Sequence, residues 1–351
     1  MSRRIAVVTS SPPMSDGGHM VIARSLVQAL RDAGHQADVI VTPQNRFGRQ
    51  AAEYLATWLT DVELTHAGPI DQVISLRYPS FAVRHPRHVC WLNHTMREYY
   101  DLWERFHAGL GLRGRVKEHV RRTLIRQADR LLLTHNVDRL FVQSKTIQKR
   151  LGMWPSLRST VLYPPAPPRP YRCDRYGDFI FMVSRLTPLK RTELFLRAMA
   201  HPVAEGLKAV VAGDGEERDR LAALVAELGI GDRVTMTGSA SPEQLVQYLA
   251  SCRAVCFPPF DEDYGFVTVE AFVSQKAVVT CTDSGGPAEL VEDGVNGFVC
   301  NPTPEALALR FRELMDSAAL AERMGQNAYA RGSQLTWPDT VRQLTALSAD
   351  A

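Results

Sequence analysis

No stretch of the 351-residue chain approaches the roughly 18 uncharged apolar residues that a membrane-spanning helix needs. The apolar run at residues 5–8 is too short for a signal-peptide core, and no small-residue cleavage site follows it, so the sequence reads as a cytoplasmic protein. Cysteine is scarce. The six cysteines form no CxxC, and Cys252 and Cys256 have no second pair with which to close a zinc site. They read as small core residues of a reduced protein. No repeat of solenoid period is present, and no Gly-x-Gly-x-x-Gly follows the first apolar run, which argues against a nicotinamide-dependent dehydrogenase. With 45% apolar and 23% charged residues, disorder is excluded and a sizeable core is available.

Charge is balanced overall but not along the chain. The net charge is +3. Residues 1–170 carry 24 Lys+Arg against 13 Asp+Glu, a net +11, and residues 171–351 carry 17 against 25, a net −8. Nine of the ten histidines precede residue 136. That asymmetry implies two modules with different partners. The boundary between them is Tyr163-Pro164-Pro165-Ala166-Pro167-Pro168-Arg169-Pro170-Tyr171, whose five prolines cannot sit in a helix or central strand and read as a stiff linker. The expected division is 1–165, 166–335 and a final helical segment, 336–351, that packs back toward the first domain.

Each side of the linker repeats one pattern, a short β-branched apolar run followed by an amphipathic segment. The first half predicts strands at 5–9, 37–41, 72–76, 89–92, 131–134 and 161–163. The second predicts them at 179–183, 209–212, 234–237, 254–257, 278–281 and 298–300, with helices at 193–200, 216–228, 242–251, 267–274 and 304–316. Runs that are apolar without alternation belong to strands covered on both faces. Alternating βα units imply parallel sheets, so the expectation is an α/β protein of two doubly wound domains facing a cleft at the carboxyl ends of their strands.

Four segments carry chemistry. In Ser184-Arg185-Leu186-Thr187-Pro188-Leu189-Lys190-Arg191, Thr187 is a good N-cap and Pro188 suits the first helical position, which puts Lys190 and Arg191 in the first turn. Cations there oppose the helix dipole, an arrangement that makes sense if an anion is bound, although exposed basic side chains would read the same way. Next, Glu262 lies in a loop after the run 254–257, and Gly265 opens a helix in which Glu270 sits one turn on. Without a Cβ at Gly265, the amides of Gly265, Phe266 and Val267 can approach a phosphate or sugar. Both carboxylates can accept hydrogen bonds from hydroxyl pairs. The Asp261-Glu262-Asp263 triplet lacks a nearby histidine and is not read as a metal site. In the first half, His94 falls at the carboxyl end of a strand. Arg113, Arg115, Lys117, Arg121, Arg122 and Arg126 share a helical segment with one acid, Glu118. That basic segment could attract an anionic acceptor or the acidic inner face of a membrane, or simply be solvated. No nucleic-acid recognition motif accompanies it.

Glu262-x7-Glu270 with Gly265-Phe266 between them resembles the E-x7-E signature of the retaining nucleotide-sugar glycosyltransferases of family four, which have the GT-B fold. Residues 277–298, with Gly285-Gly286-Pro287-Ala288-Glu289 and Asn296-Gly297-Phe298, are similar to that family's Gly-Gly loop, Pro-x-Glu and Asn-Gly-Phe pattern. Gly213-Asp214-Gly215 is similar to its Gly-x-Gly turn. The resemblance is close over about 179–301 and looser before it, where it rests on the opening strand and Gly17-Gly18. It implies transfer of a sugar, with retention, from a UDP- or GDP-linked donor to an acceptor hydroxyl of a glycan, lipid-linked or small-molecule acceptor. A phosphorylase or synthase using a sugar phosphate or free sugar is the alternative. By the same resemblance Arg185 and Lys190 would neutralise the diphosphate beside Ser184. Glu262 and His94 would meet the donor sugar, and Glu270 the ribose. Gly238-Ser239 would lie beside the base, and Gly17-Gly18 near the diphosphate. It further implies same-face attack and no cofactor or divalent metal, because cationic side chains do that work. There are two departures. Ser274-Gln275-Lys276 replaces a commoner glycine-containing turn, and Ser184 stands where glycine is usual.

Overall fold

The computed structural model describes residues 2–14, 17–44, 47–66 and 68–346. The chain divides into two compact units, residues 1–164 with 336–351, and residues 165–335.

The first unit is built on strands β1 (Arg4–Ser11), β2 (Gln36–Pro43), β5 (Gln72–Ser75), β6 (His88–Leu92), β7 (Arg139–Val142) and β8 (Thr160–Val161), with a small antiparallel pair, β3 (Leu64–Thr65) and β4 (Gly68–Pro69). The six main strands form one parallel sheet in the order β2-β1-β5-β6-β7-β8. β1 and β6 are buried almost end to end, which is why their sequences do not alternate. The helix Trp337–Thr345 belongs to this unit. Trp337 meets Trp91 edge to face at 6.2 Å, and Leu344 is fully buried. The side chains of Gln72 and Arg139 donate to the Leu344 carbonyl at 2.8 and 3.1 Å, and Arg3 donates to that of Thr345, capping the helix end with cations. Leu347, in the expected tail helix, lies outside the described residues.

One predicted strand is wrong. Residues 131–134 lie inside the helix Leu112–His135, and the strand is β7, after it. Leu131-Leu132-Leu133 has no period of its own. Only Leu133 is buried, on the same face as Ile125 and Asp129, so the run continues a 3.6-residue pattern that began upstream.

The second unit holds β9 (Phe179–Val183), β10 (Lys208–Ala212), β11 (Val234–Gly238), β12 (Ala254–Cys256), β13 (Val278–Cys281) and β14 (Gly297–Cys300) in one parallel sheet, ordered β11-β10-β9-β12-β13-β14. The chain runs outward from β9 to β11 and then returns to place β12 on the other side of β9. This reversal opens a crevice at the carboxyl ends of β9 and β12. Helices Thr192–Ala200, Arg218–Glu227 and Pro304–Asp316 cover one side, and Leu196, Met199, Leu221, Leu307 and Phe311 form the core against the sheet. Helix Pro242–Ser251 starts with a complete capping box between Ser241 and Gln244. Residues 162–177 form neither helix nor strand, as the prolines require.

Five cysteines are buried and Cys173 is half-buried, and all six are free thiols. No helix among the described residues is long and apolar enough to cross a membrane.

Candidate active site

Four loops of the second unit are laced together at the switch point. Residues 184–191 follow β9. Gly213 and Gly215 follow β10 and lie directly against them: a Cβ on Gly213 would stand 1.8 Å from the Ser184 carbonyl oxygen, and one on Gly215 2.4 Å from that of Leu186. Only glycine allows this approach, which explains the Gly-x-Gly turn. The Leu186 amide donates to the Asp214 carbonyl at 2.9 Å, completing the contact. On the other side of β9, the Phe260 amide donates to the Leu189 carbonyl at 2.8 Å.

The loop 258–264 is in turn held by the loop after β13. The Asp261 amide donates to the Asp283 carbonyl (2.8 Å), Glu262 to Ser284 (2.9 Å), and Gly286 back to Glu262 (2.8 Å). This parallel bridging brings the backbones so close that a Cβ on Gly285 would lie 2.5 Å from the Glu262 oxygen, and one on Gly286 2.6 Å from the Tyr264 Cα. Gly285 also has φ of 71° and ψ of −124°, a conformation open essentially to glycine. The Gly-Gly pair therefore sets where Glu262 sits.

Two salt bridges then define the side chains. Lys190 Nζ lies 2.6 Å from Glu262 Oε1 and over the Phe257 ring at 5.5 Å. Arg191 makes a bidentate pair with Asp283 at 2.7 and 2.6 Å and covers Phe260. The expected helical first turn is absent here. Pro188–Lys190 is a single 3-10 turn, Arg191 has a left-handed φ of 53°, and the α-helix starts at Thr192. Thr187 makes no side-chain cap bond. Arg191 is thus committed to the scaffold, while Arg185 is exposed and has no side-chain partner among the described residues. The Ser184 hydroxyl is buried without a hydrogen-bond partner among the described residues.

Glu270 lies in the helix Phe266–Val273, one residue earlier in register than predicted, whose N-cap Gly265 has a φ of 80°. A Cβ there would meet Phe257 at 2.6 Å. Glu270 is buried, and sequence reasoning missed what holds it. Arg169 and the Tyr171 hydroxyl (2.9 Å) both donate to its Oε1. Burial pushes the Glu270 pKa up, while Arg169 and Tyr171 pull it down. The signal was the lone charged residue within the proline run, read only as part of a spacer. Gly238, at the end of β11, has a φ of 72°, and its carbonyl accepts from the Gly213 amide at 2.7 Å, so Gly238 and Ser239 adjoin the same set of loops.

The remaining expected residues lie in the first unit. Gly17 caps the helix Gly18–Asp32, its carbonyl accepting from Met20 and Val21. Its φ of −127° is ordinary extended backbone, so its conformation does not demand glycine. His94 follows β6, and its Nδ1 bonds the Thr95 carbonyl, which makes Nδ1 the protonated nitrogen.

The departures have local consequences. Gln275 occupies the glycine position of the turn with a left-handed φ of 55°. Lys276 is fully buried and donates to the Arg175 carbonyl (2.6 Å) and Cys173 Sγ (3.1 Å), tying the end of the linker to this turn.

Residues 174–331 match the model of the family described as glycosyl transferases group 1. Among curated relatives, the alpha-D-kanosaminyltransferase of Streptomyces kanamyceticus is 34% identical over 163 residues, which is 44% of this chain and 42% of that protein. The chain thus spans less than half the length of such relatives. Over nearly the whole chain, the fold is that of the sucrose-phosphate synthase of Thermosynechococcus elongatus (TM-score 0.76, 19% identity, 97% of each chain covered). It also matches Anabaena Alr3699/HepE, solved in complex with UDP and glucose (TM-score 0.68, 20% identity, 96% and 97% covered). The fold class is GT-B, with one six-stranded parallel sheet in each of two Rossmann-like units.

Proposed function

We propose that this chain, whose residues 174–331 form a domain of the glycosyl transferases group 1 family, transfers a sugar from a UDP- or GDP-linked donor to an acceptor hydroxyl with retention at the anomeric carbon. One observation carries the reading. At the switch point of the second sheet an exposed Arg185, the Lys190 ammonium, an orphaned Ser184 hydroxyl and the amides behind Gly265 gather on loops that glycines hold rigid. Such a group suits a diphosphate, which would take over Lys190 from Glu262 and leave that carboxylate for a sugar hydroxyl.

In this mechanism Arg185 and Lys190 stabilise the charge that develops on the leaving diphosphate. Glu270 accepts from the ribose hydroxyls, Gly238 and Ser239 adjoin the base, and Gly265, Phe266 and Val267 donate from their amides. Two fixed cations do the work of a divalent ion, so turnover persists in chelator. The solved neighbour with UDP and glucose is consistent with the donor class.

The test is transfer or donor hydrolysis measured for Lys190→Ala and Glu270→Ala. Loss of a preorganised charge stabiliser costs about 100-fold or more in turnover. Near-wild-type turnover in both variants would discard the assignment. Complete loss of activity in chelator, restored by magnesium or manganese, would refute the metal-free mechanism.

A further inference from the structure

The helix Leu112–His135 in the first unit is the longest of the described residues at 24 residues. Its inner face is buried through Glu118, Ile125, Asp129 and Leu133. Its outer face is unusual. Leu112, Val116, Val120 and Leu124, spaced four apart, are 81%, 69%, 54% and 65% exposed, and Leu131 continues the row at 56%. Residues at that spacing share one side of a helix, so Leu112, Val116, Val120 and Leu124 form an apolar row facing water, broken within its arc only by Arg113 and Thr123, which soluble helices do not ordinarily present.

The charges are sorted around it. Seven cations (Arg113, Arg115, Lys117, Arg121, Arg122, Arg126 and Arg130) lie in the same helix. At 100° per residue, Arg115, Arg122 and Arg126 fall on one flank of the strip and Lys117 and Arg121 on the other, while Arg113 and Arg130 lie within the arc of the strip itself. The two acids both point inward. Glu118 accepts from the Tyr99 hydroxyl at 2.6 Å, and Asp129 accepts from Tyr100 at 2.6 Å and from Tyr54. Three tyrosine hydroxyls thus remove every acid of the helix from the solvent face.

We propose that this face docks on an anionic lipid bilayer, lying in the plane of the interface with Leu112, Val116, Val120 and Leu124 immersed and the cations at the headgroups. An exposed apolar row between two cationic flanks matches the chemistry of that surface on both counts. A second copy of the chain would bring cations against cations. A nucleic acid would use the charges but leave the apolar row in water. The inference is independent of the donor site in the second unit.

The full chain is sedimented with phosphatidylcholine vesicles, with and without phosphatidylglycerol, at low and high salt. Binding is expected to the anionic vesicles only and to weaken with salt. Replacing Arg113, Lys117 and Arg130 by Gln together should weaken it about 100-fold, at about five-fold per charge. Val116→Ser with Val120→Ser, both at exposed positions where folding is undisturbed, should weaken it about ten-fold or more without changing the salt dependence. Absence of binding to anionic vesicles, equal binding to neutral ones, or binding untouched by the serine pair would overturn the proposal. So would a dimer in solution that the serine pair dissolves, or RNA binding that the serine pair leaves intact in a chain that ignores vesicles.

Discussion

Removing Arg169 should unfold the second unit earlier, and the loss should depend on pH in a fixed direction. The Glu270 carboxylate is buried, and among the described residues Arg169 and Tyr171 hold it. Breaking a buried ion pair by deleting one partner costs about 3–5 kcal/mol, because the other charge is stranded. Here the cost is lower, at about 2–3 kcal/mol, because the Tyr171 hydroxyl still donates and the Arg169 side chain was itself one-fifth exposed. For a unit of this size that is roughly 4–12 °C in Tm. The sign with pH follows from linkage. The folded Glu270 has a pKa above that of an ordinary glutamate, so between the two values the native state binds more protons and stability falls as pH rises. Arg169 limits that rise, and in Arg169→Ala the window extends upward. The deficit should therefore be small at pH 5, where the carboxyl can be neutral, and full at pH 8. Adding Glu270→Gln should recover part of it at pH 8. Urea unfolding of the wild type, Arg169→Ala and the double variant at both pH values is the assay. A deficit below about 0.5 kcal/mol at pH 8, or the same deficit at pH 5 and 8, would refute the account of a stranded charge.

Other consequences are equally direct. Gly285→Ala places a Cβ 2.5 Å from the Glu262 backbone and forces a strained conformation costing about 1–3 kcal/mol, so it should lower the unfolding midpoint and abolish nucleotide binding in calorimetry. Unchanged values for both would show that the loops are not laced as described. Gln275→Gly relieves a left-handed φ worth about 1 kcal/mol and should stabilise by about 0.5 kcal/mol after the entropy of glycine is counted, whereas a loss would contradict the strain. Burial pushes the thiols of Cys90, Cys252 and Cys281 up to about 12 and that of Cys300 to about 11, so native protein at pH 8 should show one fast thiol toward Ellman's reagent, absent in Cys173→Ser. Burial also pushes Asp129 up to about 7 against the hydrogen bonds of Tyr100 and Tyr54, so it makes the first unit less stable as pH rises from about 4 to 7. Asp129→Asn should lack that slope, and a slope shared by both proteins would assign it elsewhere.

The sequence by itself determined the layered architecture, because short β-branched runs without alternation suit strands covered on both faces, and their repeated alternation with amphipathic segments points to parallel sheets. It determined the glycines as well. Gly213, Gly215, Gly285 and Gly286 stand where backbones approach more closely than a Cβ permits, and Gly265 where the Phe257 ring does. That requirement is local, so it leaves a mark in the chain. It failed where a run had no period of its own, at 131–134, and where a helix start was replaced by a single 3-10 turn, at 188–190. Tertiary structure alone decided the partners. Arg169 lies 101 residues from Glu270 and Arg191 lies 92 from Asp283, and nothing in the local sequence of either member specifies the other. It also decided which side of the basic helix faces water. Periodicity fixes that a helix has two faces, but the Leu112–Leu124 row is the outer one because Ile125 and Leu133 are buried on the other face, where three tyrosines from other segments draw in Glu118 and Asp129.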